Sequence, residues 1–200
     1  MTDTTLTLAQ NRLLLPSGLD LGALESTFGH LLGPGIDFAD LYFQHARRES
    51  WSVEEGIVKD GAHSIEQGVG VRAIAGEKTG FAYSDDIQAD ALVTAARSAR
   101  AIARSGNTAQ AHALRRRQSA SLYPAIDPID GMDNAEKVAL LRRLDAYLRA
   151  ADPRVVQVMV SLSGSVDTIL VARSDGVLGA DVRPLVRLNV SVTVEKNGRR

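Results

Sequence analysis

The sequence predicts an α+β fold, an antiparallel sheet with helices on one face. Segments with a helical apolar period are followed by runs of strict two-residue alternation. Those runs come in clusters parted by short turn signals, which favours strand meanders over parallel β–α–β units. The 200 residues, 44% hydrophobic and 24% charged, suffice for a packed core.

Residues 1–18 read as a lead-in and 19–200 as the domain. Pro16-Ser17-Gly18 stops any helix begun at 11–15. The first clear helix is expected at about 20–32, with Asp20 as N-cap and Leu21, Leu24, Phe28, Leu31 and Leu32 on one face. Strands follow in DLYFQHA (40–46) and ESWSVEEGIV (49–58), and KDG at 59–61 reads as a hairpin turn. In GVGVRAIA (68–75), Val69, Val71, Ala73 and Ala75 point one way, and Gly68, Gly70, Arg72 and Ile74 the other. Gly76-Glu77-Lys78 turns the chain into a returning strand at 79–83. A second helix is expected at about 87–104, ended by Gly106.

Residues 106–132 read as a long polar connection with one short strand near 121–126; Arg115, Arg116 and Arg117 fall in solvated loop. A third helix is expected at about 134–151, opened by a capping box of Asp133 and Glu136, with Val138, Leu141, Leu144 and Leu148 as its buried stripe. Three strands close the chain: 156–163, then 168–172 turned by Ser174-Asp175-Gly176, then 187–194 with Leu188, Val190, Val192 and Val194 on one face. A shift of 115 residues lays Asp60-Gly61 on Asp175-Gly176 and admits an internal duplication; chance likeness of two ordinary units is the competing reading.

A net charge of −1 argues against direct nucleic-acid binding. The absence of cysteine excludes disulfides and thiolate metal sites. No signal peptide or membrane-spanning run is found, so a soluble, cytoplasmic protein is expected.

GVGVRAIAG lacks the third glycine of a dinucleotide loop, and it leads through a turn into a strand rather than into a helix. Glu77-Lys78-Thr79 lacks the spacing of a nucleotide P-loop. His30, His45, His63 and His112 form no close pair, no G-x-S-x-G elbow appears, and Glu54-Glu55 and Asp85-Asp86 read as surface or cap. No complete catalytic site is present.

The stretches DFADLYFQ, ESW, IVKDGAHSIEQGVGVRAIAGEKTGFAYSD and GADVRPLVRLNVSV resemble the amino-terminal part of the TldD/PmbA family, also called modulators of DNA gyrase. The likeness runs from about residue 13 to the end. It implies a bacterial cytoplasmic zinc metalloprotease that cleaves unfolded peptides in peptide maturation and antitoxin degradation, working as a heterodimer with a TldE/PmbA-like subunit. The family's zinc site is an H-E-x-x-x-H helix motif plus a later cysteine, both in the carboxy-terminal domain. Neither occurs here, so no catalytic or metal residue carries over, and zinc is expected in a carboxy-terminal domain outside this chain. Asn197-Gly198-Arg199-Arg200 looks like a hairpin turn without its return strand.

Two glycines on one strand face, Gly68 and Gly70, leave that face bare, so a bulky group or another backbone must lie over it. The structural reading is an aromatic of the same domain, such as Trp51 or Phe43. The functional reading makes Gly68, Gly70, Arg72, Glu77 and Tyr83 part of a cleft for an extended peptide, which can add to a sheet edge without regard to its sequence. Arg183, Arg187 and Asn189 face either a partner subunit or solvent. The alternative function is a stand-alone peptide- or protein-binding regulatory module without protease activity.

Overall fold

The computed structural model describes residues 2–103, 112–117 and 122–200. Helices α1 (Thr2–Leu13), α2 (Leu21–Leu31), α3 (Ala89–Ala103) and α4 (Asn134–Ala151) accompany strands β1 (Phe38–Glu54), β2 (Ile57–Ala75), β3 (Lys78–Ser84), β4 (Arg115–Arg116), β5 (Val155–Arg173) and β6 (Val177–Val194). The strands form one sheet in the order β3-β2-β1-β5-β6-β4. The α+β class is as the alternation predicted. Gly106 and Ser121 lie outside the described residues, and residues 122–126 form no strand.

Several strands expected as separate are continuous. The chain does not turn at 59–61. It turns at Glu55 and Gly56, whose φ values of 55° and 72° give the two-residue hairpin whose twist matches the flanking strands. Asp60-Gly61 therefore lies inside β2. A β-carbon on Gly61 would sit 2.7 Å from Trp51 Cζ3, so this glycine makes room for the indole rather than for a turn. The 115-residue shift pairs a mid-strand segment with the real turn at Asp175-Gly176, and the duplication gains no support. The Arg115-Arg116 pair is also strand and not loop: β4 pairs in parallel with Val177 and Leu178, through Arg117 N to Leu178 O at 2.9 Å among other bonds.

The molecule divides into two compact units, with β1, β2, β5 and β6 each contributing to both. Unit 1 comprises residues 1–46, 66–125 and 167–182. Its core joins Leu24, Phe28 and Leu31 of α2 and Leu92, Ala96 and Ala99 of α3 to Leu41 and Phe43 of β1 and to Val69, Val71 and Ala73 of β2. Residues 1–18, expected as a lead-in, contribute Leu6, Ala9, Leu13 and Leu14 to this core. Val69, Val71, Ala73 and Ala75 of β2 are buried there, and Arg72 between them is exposed, the alternation the sequence predicted.

Unit 2 comprises residues 47–65, 126–166 and 183–200. Its core is small: Val53, Val158 and Val160 of the sheet under Leu141 of α4, with Trp51, Leu144 and Leu148 around them. The capping box is present, with Glu136 N donating to Asp133 Oδ1 at 2.7 Å and Asp133 N to Glu136 Oε2 at 2.9 Å. Leu141 alone of the expected α4 stripe is fully buried; the helix also buries Lys137 and Asp145.

Candidate functional site

The bare face predicted around Gly68 and Gly70 lies in unit 1, on the side of β2 away from the core. The hairpin of β2 and β3 turns through Gly76 and Glu77, with φ at Gly76 of 59°. Gly76 N donates to Asp37 Oδ2 at 2.6 Å, which fixes the turn. The resulting antiparallel register sets Gly70 opposite Tyr83 and Arg72 opposite Phe81. Directly opposed residues project to the same face, so Gly70, Arg72, Phe81 and Tyr83 form one patch.

What lies over the two glycines differs from the aromatics expected. Phe43 is fully buried in the core on the other side. Phe81 takes the place above Gly70: a β-carbon there would meet its ring at 3.0 and 3.1 Å. At Gly68 the neighbour is backbone, since a β-carbon would lie 2.8 Å from Ser84 O. Phe81 and Tyr83 remain exposed at 55% and 73%.

Arg72 is held on this face by Asp40 of β1. Its Nε lies 3.2 and 3.0 Å from the two carboxylate oxygens, and its Nη2 also donates to Asp40 Oδ2. The hydrogen bonds and charge of Asp40 raise the Arg72 pKa, so the guanidinium is a fixed cation at every working pH. Glu77 stands apart at the exposed hairpin tip, seven residues along from Gly70 and so roughly 20 Å away. Phe81 and Asp40 are the members of the patch that sequence reasoning missed. The two-residue Gly-Glu turn could have found Phe81, because it sets the register that brings Phe81 across from Arg72.

β3 is the first strand in the sheet order, so its outer edge has no strand partner among the described residues. One side of it is shielded by α3, whose backbone lies against Gly80. The exposed side offers two aromatic rings, a paired cation and a strand edge, an arrangement that can hold extended polypeptide by main-chain hydrogen bonds and ring contact.

A second polar cluster, in unit 2, is structural. Arg47 binds Asp127 at 2.7 Å and Asp130 at 2.9 Å, while Lys137 Nζ donates to Glu49 Oε1 and to Ile129 O, both at 2.7 Å. These contacts pin residues 127–130 to β1 and α4. Burial opposes ionisation of Glu49, but hydrogen bonds from Lys137 and Trp51 and the charges of Lys137 and His63 outweigh it and hold its pKa below the ordinary carboxylate value. Arg187 Nε donates to Asn189 Oδ1 at 2.9 Å along exposed β6, and Arg183 is exposed as well. Among the described residues no three His, Asp or Glu side chains gather closely enough to hold a metal ion, so these residues do not fit a zinc site. No helix among them is long and apolar enough to cross a membrane.

Comparison with known proteins adds two family matches. Residues 39–103 match the PmbA/TldA metallopeptidase domain 1, and residues 127–200 match the PmbA/TldA metallopeptidase central domain. The chain is 44% identical over 192 residues to a metalloprotease TldD homolog of Haemophilus influenzae, covering 95% of this chain and 40% of that protein. It is 40% identical over 196 residues to a metalloprotease TldD homolog of Buchnera aphidicola subsp. Schizaphis graminum, covering 98% and 41%. The chain thus spans about two fifths of the length of these relatives. Among solved structures, one described as a modulator of DNA gyrase from Bacteroides thetaiotaomicron aligns with a TM-score of 0.68 at 14% identity, over 90% of this chain and 42% of that one. TldE from Thermococcus kodakarensis aligns with a TM-score of 0.63 at 14% identity, over 88% and 40%. At that identity the structural likeness establishes the fold alone.

Proposed function

Since this chain belongs to the PmbA/TldD metallopeptidase family, we propose that it is the non-catalytic front part of a zinc peptidase acting on unfolded peptides, walling the substrate cleft and contributing to the interface with a TldE/PmbA-like subunit. The zinc of such an enzyme would be held by residues outside this chain, and no step of peptide hydrolysis is assigned to the residues within it. Their work is to bind and orient.

The observation that supports this reading is the exposure of Phe81 and Tyr83 beside Gly70 and the open edge of β3. An extended peptide laid along β3 would donate to and accept from its outer backbone groups, which every sequence can satisfy. The rings would add apolar contact without selecting one side chain, as a protease of unfolded substrates requires. Arg72 and Asp40 would fix the strand beneath.

The test uses the full-length enzyme with its partner subunit and an unfolded reporter peptide. Phe81→Ala and Tyr83→Ala, separately and together, are expected to raise KM several-fold and leave kcat unchanged, because the patch binds substrate and transition state alike. Unchanged KM in the double variant removes the patch from the cleft. An enzyme that cleaves no unfolded peptide, or whose cleavage is indifferent to chelation, removes the zinc-peptidase reading itself.

A further inference from the structure

Unit 2 carries a groove of about 360 Å³ on the side of the sheet turned away from α4. Gln157 Nε2 donates to Glu54 Oε1 at 2.6 Å, and Thr193 Oγ1 to Gln157 Oε1 at 3.5 Å, so these residues of β5, β1 and β6 share one face. Their neighbours Val53 and Val158 are buried with Leu141 of α4 on the other. Strand alternation then brings Arg48 and Ser50 of β1, Ser163 and Ser165 of β5 and Leu185 of β6 to the groove side. On β2, Gly61 lies against Trp51 on the α4 side, so Ser64 takes the groove side.

The groove exists because the side chains on its floor are small. The adjacent strands β2, β1 and β5 all place serine there. Among the described residues no hydrogen bond ties any of these four hydroxyls to the rest of the chain, so each can turn its O–H toward a ligand. Arg48 stands exposed on the same floor. Its guanidinium is a planar fork of N–H donors, and it can grip a carboxylate alongside whatever else it bonds within the chain.

Glu49 is the one acid in the lining, and its Oε1 is bound by Lys137 Nζ at 2.7 Å on the α4 side. The groove therefore presents donors and no carboxylate turned inward. One guanidinium matches a monoanion better than a doubly charged phosphate. Leu185, 64% exposed, adds an apolar wall. A carboxylate next to an aliphatic group is the chemistry of the last residue of a peptide.

We propose that this groove holds the C-terminal residue of a peptide, its carboxylate on Arg48 and the serine hydroxyls and an aliphatic side chain against Leu185. Capture of a free chain end in this way is a recurring mode of peptide recognition. The inference rests on the peptide-binding reading above and adds to it a preference for a free end, which an internal stretch of polypeptide cannot supply. It shares no residue with the Gly70 patch.

The test uses the full-length enzyme with its partner subunit, under a chelator so that binding is read without cleavage. Fluorescence anisotropy compares two labelled unfolded peptides that end in leucine, one with a free carboxylate and one amidated. The free acid is expected to bind about ten-fold more tightly, the scale of one charge-assisted hydrogen-bonded contact. Arg48→Gln should erase that difference and leave the affinity of the amide unchanged. Leu185→Ala should erase the preference for terminal leucine over terminal glycine and keep the preference for the free acid. N-acetyl-leucine in excess should lower the affinity of the free acid to that of the amide, and inorganic phosphate should not.

Equal affinity of acid and amide in the native protein, or a difference that survives Arg48→Gln, overturns the site. Phosphate competing as well as N-acetyl-leucine makes it a general anion site and overturns the assignment to peptide ends. A protein that binds the free acid in this way, yet cleaves no peptide once its metal is restored, upholds the groove and removes the peptidase reading. The two therefore fail separately.

Discussion

The carbonyl of Ala99 occupies the place where Gly80 would carry a β-carbon. Such an atom would overlap the Ala99 oxygen and lie 2.9 Å from its carbonyl carbon and 3.1 Å from Ala103 N. Helix α3 therefore packs backbone to backbone on β3, closer than any other residue permits. The nearest atoms are main chain, so no side chain can rotate away. Gly80→Ala is expected to destabilise the protein by about 3 kcal/mol or more, since it must lift α3 from the sheet. Denaturant unfolding reads this directly; a loss under about 0.5 kcal/mol would show that the packing yields.

Lys137 and Glu49 form a buried ion pair in unit 2, with side chains 6% and 10% exposed. Removing one partner leaves the other charge stranded, and Lys137→Met should cost about 3 kcal/mol. The depressed Glu49 pKa fixes the sign of the pH dependence. The folded state binds this proton less readily than the unfolded chain, so the stabilisation is complete above the unfolded value near 4.5 and is lost as pH falls through the lower folded value. Urea midpoints between pH 6 and 3 should fall more steeply for the native protein than for Glu49→Gln.

Trp51 is the chain's one tryptophan and reports on Gly61. Gly61→Val would press a side chain into the indole from 2.7 Å. A loss of about 1–3 kcal/mol is expected, together with a changed emission spectrum. An unchanged spectrum would show that the indole does not rest on Gly61.

Asp133 caps α4 through its side chain. Asp133→Ala should cost about 1 kcal/mol, and Asp133→Ser much less, because a serine oxygen reaches the same backbone N–H. Thermal melts of the two variants give the comparison.

Gly70 and Tyr83 separate fold from function on the candidate face. Gly70→Val presses on the Phe81 ring, a side chain that can swing outward, and meets the Tyr42 carbonyl oxygen only at an ordinary 4.0 Å, so the fold should survive with a loss of about 1 kcal/mol. Tyr83→Ala, at a residue 73% exposed, should shift stability by less than about 0.5 kcal/mol. Circular dichroism and melts check both before any peptide assay is interpreted.

The sequence by itself determined the fold class, three of the four helices and the alternation of β2, because each follows from local periodicity and capping. Asp133 and Glu136 announce α4, and Val69, Val71 and Ala73 announce a buried strand face, without reference to anything distant. It also carried the family, through the long run around the glycines. Tertiary structure decided the rest. Lys-Asp-Gly has the chemistry of a turn, yet it lies mid-strand, because Glu55 and Gly56 adopt the hairpin angles and Trp51 needs the space at Gly61. The partner of Gly70 proved to be Phe81, since only the β2–β3 register brings that ring across. The row from Leu188 to Val194 reads in sequence as half-buried strand, but burial belongs to whatever covers a strand, and alternation cannot say which edge is open. Local propensity is written in neighbouring residues; register, coverage and the close approach of Ala99 to Gly80 exist only between distant ones.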